Sequence, residues 1–403
     1  MVMTAPFDFT PLLPPGLPPA AARWTGRVKF DFTGGNNDPD ALPLDGLIAA
    51  ADAVLRREGR TLATYGLDSG PQGYRALRDF LVGKLKRDAG IQCSADDILV
   101  TSGSLQALDL VNHTLLARGD TVLIEEDCYQ GSINRLLRMG VTPVGIPLDN
   151  EGLRIDALEA ALKDLKAKGV RPKYIYTIPT VQNPTATILP PARRQALLRL
   201  AAEYDVPVFE DDCYADLVWS GERPPALHAL SDRGNVIYIG SFSKTVAPAL
   251  RVGYIVAPWA ILSRMLALKT DAGSGALEQM VLAEYCTAHF SKHVPALRKS
   301  LRAKLVTLME SLKEHFGTAA GFDDPQGGIF LWVKLPDNVD TLQLFKLAQA
   351  AGVAINPGPE WSVNKAHAAI RLPLCFANLS HEEISQGVAT LAEVCRKNFG
   401  VPA

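Results

Sequence analysis

The sequence has no uninterrupted apolar run of the ~18 residues that a membrane-crossing helix needs, so no span is predicted. It has no charged segment ahead of an apolar core at its start, which argues against a secretory leader. It has almost no charge excess: the net charge is -2 over 403 residues. A nucleic-acid binder carries a basic face or a pI above about 9, so no nucleic-acid partner is expected. No CxxC pair occurs among the six cysteines (Cys93, Cys128, Cys213, Cys286, Cys375, Cys395). Their scatter through apolar surroundings reads as free thiols in a reducing cytoplasm. No HExxH motif appears and the seven histidines are dispersed, so no metal centre is predicted. There is no internal repeat, and no low-complexity tract beyond a proline-rich start.

What the chain does have is an apolar fraction of 47%, enough for a sizeable core. Residues 1–35 read as an arm, because Pro6, Pro11, Pro14, Pro15, Pro18 and Pro19 forbid a regular helix there. Gly34 and Gly35, followed by Asn36-Asn37-Asp38, mark a tight loop, either an ordinary surface turn or a close backbone approach. Amphipathic helices are predicted over 44–57 and 74–89. From residue 97 short apolar strands alternate with helices: strands near 98–101, 121–125, 143–148, 173–178, 206–211, 236–240 and 252–257, helices at 105–117, 133–139, 155–168 and 191–203. That alternation predicts an α/β fold whose large domain, 36–275, holds a mainly parallel sheet covered by helices on both faces. Beyond it, helices at 277–288 and 294–316, a glycine hinge and strand at 325–333, a helix at 341–351, a strand ending at 369–372 and a last helix at 382–399 read as a smaller α+β C-terminal domain, 276–403.

Ligands on open α/β sheets sit at the carboxyl ends of the strands. Residues 101–104, 180–184, 211–214 and 241–244 all fall at such ends, and the coincidence carries more than any one of them. Ser102-Gly103-Ser104 before a helix offers free N–H groups and the positive dipole end to an anion, although a plain capping turn has the same sequence. Ser241-Phe242-Ser243-Lys244 follows a buried strand, with Arg251 shortly after. A desolvated lysine loses its proton readily, and its neutral amine can form a Schiff base with a carbonyl. The two hydroxyls and the arginine fork beside it suit a phosphate, a pairing that points to pyridoxal phosphate. Read alone, Lys244 is equally a strand-end lysine in water. Asp211 could pair with a pyridinium nitrogen, Tyr214 and the Asn183 amide could bond a ring hydroxyl, and Tyr129 could stack on the ring face.

Together these segments resemble the fold-type I pyridoxal-phosphate enzymes, and within them the class I/II aminotransferases. The subgroup most resembled is that of 2-aminoadipate, kynurenine and aromatic aminotransferases, with the similar C-terminal domain of MocR-type regulators. The resemblance runs from about residue 31 onward. It rests on Thr101-Ser102-Gly103-Ser104 with Gln106-Ala107-Leu108-Asp109, Gln182-Asn183-Pro184-Thr185, Glu210-Asp211-Asp212-Cys213-Tyr214, the Lys244 motif with Arg251, Gly327-Gly328-Ile329-Phe330 and Ile370-Arg371-Leu372. It implies that Lys244 is the Schiff-base lysine and general base, and Asp211 the pyridinium partner. It implies Asn183 and Tyr214 on the ring hydroxyl, and Ser104, the Leu105 backbone, Ser241, Ser243 and Arg251 around the phosphate. It further implies Tyr65 reaching the phosphate of a neighbouring subunit in a homodimer with shared sites. Arg371 would clamp the substrate α-carboxylate, with the Gly34 and Gly35 backbone near the substrate.

The implied reaction moves an amino group from an L-amino acid to a 2-oxo acid. The same scaffold also supports lyases, decarboxylases and racemases, because the outcome depends on which Cα bond stands perpendicular to the ring. A ligand-sensing regulator would need a helix-turn-helix unit ahead of the arm, where only about 30 proline-rich residues stand. Ala186 and Ala249 stand where that family often has glycine, which requires a negative φ at both. Leu105 stands where glutamine is common. Trp24, Asn36, Trp361 and the arm are candidates for lining the side-chain pocket.

Overall fold

The computed structural model describes residues 7–24 and 26–402; the first six residues of the proline-rich arm lie outside the described residues. Seven strands form the central sheet: β1 (Ile98–Thr101), β2 (Thr121–Glu125), β3 (Thr142–Ile146), β4 (Ile175–Thr177), β5 (Val208–Asp211), β6 (Val236–Ser241) and β7 (Gly253–Val256). Their spatial order is β1-β7-β6-β5-β4-β2-β3. All run parallel except β7, which is antiparallel to both neighbours. β1, β4, β5, β6 and β7 are buried at every position. Burial on both faces explains why they read as apolar runs without alternation.

Helices α1 (Leu44–Glu58) and α2 (Arg75–Ala89) cover one face, and α3 (Ser104–Leu115), α4 (Gln130–Met139), α5 (Ile155–Ala167), α6 (Pro191–Glu203) and α7 (Trp259–Leu268) complete the large unit. Pro191 starts α6 at a position where its missing N–H costs nothing. The two helices expected at 277–288 and 294–316 are one 41-residue helix, α8 (Ala276–Phe316), with Pro295 inside it. An interior proline costs a helix about 3 kcal/mol, and burial in two cores outweighs it. Tyr285, Phe290 and Val294 pack into the core of α1 and α2, whereas Leu297, Leu301, Leu305 and Phe316 pack into the C-terminal core.

The C-terminal elements are β8 (Phe330–Lys334), α9 (Thr341–Ala350), β9 (Arg371–Cys375) and α10 (His381–Phe399), with β8 antiparallel to β9. The strand expected to end at 372 instead begins at Arg371, because a turn closed by the Arg371 N–H to the Ala368 carbonyl precedes it. α10 opens with a capping box between Ser380 and Glu383. Phe30 and Asp31 pair in parallel with Val353 and Ala354, which ties the start of the glycine loop to this C-terminal unit.

Glu125, the last residue of β2, is fully buried. It accepts from the Thr177 hydroxyl at 2.6 Å, the Gln182 amide at 3.0 Å and the Ile178 N–H at 3.1 Å. Burial raises its pKa from 4.5 to about 7 against the pull of those donors. Between those two values the folded chain holds a proton that the unfolded chain has released, so stability falls as pH rises through the window. The stability of the protein relative to Glu125→Gln should therefore drop by on the order of 3 kcal/mol from pH 5 to pH 8, read from urea unfolding. A pH-independent difference would contradict the assignment.

Candidate active site

The carboxyl ends of β1, β5 and β6 and the loop after β4 open into one cavity of about 370 Å³. Most of the residues named from sequence line it: Gly34, Gly35, Ser104, Leu105, Tyr129, Asn183, Asp211, Tyr214, Ser241, Ser243, Lys244 and Arg251.

Lys244 sits in the turn after β6, partly buried. Its Nζ donates to the Gly35 carbonyl at 2.5 Å and lies 6.0 Å from the centre of the Tyr214 ring. Burial lowers its pKa below the ordinary lysine value, and Arg251 adds to that effect. A Cβ at Gly35 would fall 2.5 Å from this Nζ, so a larger residue there would displace the lysine amine from its place against the loop. The loop is fixed from its far side. Asp38, 3% exposed, lies 2.9 Å from Lys304 Nζ on α8 and accepts from Ser300 Oγ at 2.6 Å.

Asp211 ends β5 and is buried at 5% exposure. Burial raises its pKa, while a 2.7 Å bond from the Tyr176 hydroxyl holds it down. Asn183 Nδ2 donates to the Tyr214 oxygen at 3.1 Å; Asn183 Oδ1 is buried with no partner among the described residues. Tyr129 packs edge-on against Trp361, with ring centres 5.9 Å apart.

α3 begins at Ser104 without a side-chain cap, which leaves its first N–H groups to the cavity. Gly103 has a φ of +76°, and a Cβ there would fall 2.3 Å from an Arg251 Nη. Arg251 takes a left-handed backbone (φ 53°, ψ 45°), which aims its fork at this turn. The fork bonds only backbone carbonyls, of Pro248 and Ser102, so its charge faces no carboxylate among the described residues. Helix N–H groups, two serine hydroxyls and an uncompensated guanidinium make a donor set for a phosphate ester.

Comparison with known proteins decides the family. Residues 28–391 match the family model described as aminotransferase class I and II. The chain belongs to the class I and II aminotransferases. It is 31% identical to the aromatic-amino-acid aminotransferase 1 of Thermococcus litoralis, over 92% of this chain and 88% of that one. It is 33% identical to YdfD, an HTH-type transcriptional regulator of Bacillus subtilis, over 85% of this chain and 70% of that one. The structure of a kynurenine aminotransferase from Pyrococcus horikoshii superposes with a TM-score of 0.86 at 32% identity, covering 93% of this chain and 92% of that one. The protein is a pyridoxal-phosphate-dependent transaminase of fold type I, and the donor set described above fits that cofactor.

Four residues named from sequence are not brought to this aminotransferase's cavity: Tyr65, Arg371, Trp24 and Asn36. Tyr65 is 90% exposed and lines a separate groove with residues 62–74 and 269–276. Arg371 lines an adjoining groove with Asp127, Thr185 and His367, and its Nε is buried without a partner among the described residues. Trp361 lines the cavity, whereas Trp24 is 84% exposed and Asn36 is absent from the lining. Phe330 of the Gly327-Gly328-Ile329-Phe330 motif lines it too, as do Asn356, Pro373 and Cys375, which were not foreseen. Only the fold brings them in, from more than eighty residues beyond Lys244.

The negative φ required at Ala186 is not found: its φ is +59°, and Val181, five residues earlier, has +58°. Both flank Asn183 in one loop. The 2.6 Å bond from the Ala186 N–H to the Gln182 carbonyl and the Glu125–Gln182 contact hold the loop in this shape. A left-handed alanine costs about 1–2 kcal/mol, partly offset by glycine's larger unfolded entropy. Ala186→Gly should raise stability by about 0.5–1 kcal/mol, seen as a higher urea midpoint at constant slope. A lower midpoint would show that the methyl group's packing outweighs the strain.

Proposed function

We propose that this aminotransferase moves the amino group of an L-amino acid to a 2-oxo acid with Lys244 as cofactor anchor and proton carrier. The observation that carries the reading is the joint placement of Lys244, Asp211 and the phosphate donors around one cavity. Bound pyridoxal phosphate supplies the electron sink that lets the substrate Cα–H bond ionise. Ser104, the Leu105 N–H, Ser241, Ser243 and Arg251 would hold its phosphate. Asn183 and Tyr214 would hold its ring hydroxyl, Tyr129 its ring face, and Asp211 its protonated ring nitrogen.

The chain's own residues do the rest. Lys244 Nζ takes the Cα proton and later returns it, and its lowered pKa keeps more of the amine neutral for that task. Gly35 O gives the same Nζ a fixed resting partner. Arg371 takes the substrate α-carboxylate through its planar fork, a role supported by its unpartnered Nε. The Gly34–Gly35 backbone closes the substrate side. Tyr65 serves the phosphate of a neighbouring subunit in a homodimer; its exposure, and that of Leu44, Ile48 and Leu62, supports a covered face.

The donor carries an aromatic or other large apolar side chain. Tyr129, Phe330 and Trp361 line the cavity, and its only cations among the described residues, Lys244 and Arg251, are already committed. The aromatic and kynurenine aminotransferases among its relatives fit this donor class, whereas the 2-aminoadipate transaminase of Thermus thermophilus is named for an acidic donor, so the cavity lining carries the choice. The reading divides the chain into an arm (1–35), a cofactor-binding domain (36–275) and a small domain (276–403), with α8 rooted in both cores. It places the enzyme in the cytoplasm, in keeping with six unpaired cysteines. No helix of the described residues is long and apolar enough to cross a membrane.

Lys244→Ala should reduce turnover at least about a thousandfold in a 2-oxo acid release assay, since it removes both anchor and base. Retention of turnover would overturn the lysine assignment. Arg371→Ala should raise KM for amino acids by roughly tenfold or more. An unchanged KM would show that another group binds the carboxylate. In a panel of donors, kcat/KM should be at least about tenfold higher for aromatic than for acidic amino acids, because an unpaired carboxylate is costly to bury. The reverse order would contradict the donor class.

A further inference from the structure

Asp211 has two oxygens and must present one of them to the cofactor ring in a fixed direction. The contact that fixes it comes from Tyr176, in the middle of β4 and 1% exposed. The Tyr176 hydroxyl donates to Asp211 Oδ2 at 2.7 Å. Asp211 Oδ1 accepts a longer bond from the Cys213 N–H, at 3.3 Å. On the other side of the tyrosine, Ser132 Oγ lies 3.0 Å from the same hydroxyl and is itself buried, at 4% exposure. A tyrosine hydroxyl has one proton. An ionised carboxylate can only accept, so that proton goes to Asp211, and Ser132 donates to the tyrosine oxygen. The order Ser132 to Tyr176 to Asp211 is thus directional.

The relay is built on rigid elements. Phe209 packs edge-on against the buried Tyr176 ring, centres 5.3 Å apart at 72°. Ser132 lies in the first turn of α4, and its N–H bonds the carbonyl of Tyr129, the residue that covers the cofactor's ring face in the reading above. One helical turn therefore sets both a wall of the ring site and the direction of the hydroxyl that aims Asp211.

We propose that Tyr176 is a positioning residue for the cofactor's ring nitrogen, acting through Asp211, with Ser132 orienting its hydroxyl. The proposal rests on Asp211 being the ring-nitrogen partner. A tyrosine that served only the core would matter for stability and not for the cofactor.

The test is a titration of pyridoxal phosphate into apo-protein, followed by quenching of tryptophan fluorescence, for a double-mutant cycle. Tyr176→Phe removes one hydroxyl and no ring. It should weaken cofactor binding roughly tenfold, the loss expected for one hydrogen bond to a charged group, and lower kcat while leaving the amino acid KM unchanged. In an Asp211→Ala background the same change should move the dissociation constant by less than about twofold, because its partner is gone. Ser132→Ala should weaken binding in the same direction by a smaller factor; it carries the test alone if Tyr176→Phe does not fold. Wild-type affinity in Tyr176→Phe, or an equal loss in both backgrounds, would overturn the relay while leaving Asp211 in its role. Wild-type affinity in Asp211→Ala would overturn the role of Asp211, and the relay with it.

Discussion

The constraint on which this structure turns is the burial of an amine and a carboxylate in one cavity. Burial works against the charge of each: it lowers the pKa of Lys244 and raises that of Asp211, whose carboxylate the Tyr176 hydroxyl supports in return. Neither shift helps folding. The fold bears them because the groups sit at the ends of strands that are buried from end to end, where covering helices on both faces supply the compensating apolar area. Parallel strands bring their carboxyl ends to a common edge, so residues 104, 211 and 244 meet although 140 positions separate the first from the last.

A second layer of polar contacts holds the cavity's walls. Asp38 and Lys304 pair in the interior and pin the glycine loop to α8; Glu125 and Gln182 pin the loop of Asn183 to β2. Such contacts are dear to bury and dearer to break by halves. Val181 and Ala186 take left-handed backbones in that loop and Arg251 takes one beside the phosphate donors, whereas Leu67, Asp68, Asp205 and Ala272 take theirs away from the cavity lining. At Val181, Ala186 and Arg251 strain lies next to the groups that would hold the cofactor, as expected where surrounding structure over-determines a site.

Much of this was legible in the sequence, for physical reasons. A βα repeat of short apolar runs has few packing solutions, so sheet and helices followed from pattern. The motifs at strand ends named most of the cavity because their residue types have few other uses together. What escaped were outcomes of tertiary context. The break expected near residue 290 is absent because two cores bury the two halves of α8 across Pro295. Ala186 adopts a glycine-like conformation because Gln182 and Glu125 hold its loop. Tyr176 was read as a strand residue, and nothing local to it points at Asp211, 35 positions on. Arg371 and Tyr65 were named by their motifs, yet they lie on an adjoining groove and an exposed loop, where sequence carries no distance.

The most direct measurement follows the visible absorption of the cofactor-loaded enzyme during titration with a panel of amino acids under conditions of a single half-reaction. The account predicts that an L-amino acid with an aromatic or large apolar side chain discharges the long-wavelength band, with one 2-oxo acid formed per site. A 2-oxo acid added afterwards should restore it. Persistence of the band with release of ammonia or carbon dioxide would contradict amino-group transfer and assign this cavity to another reaction of the same cofactor.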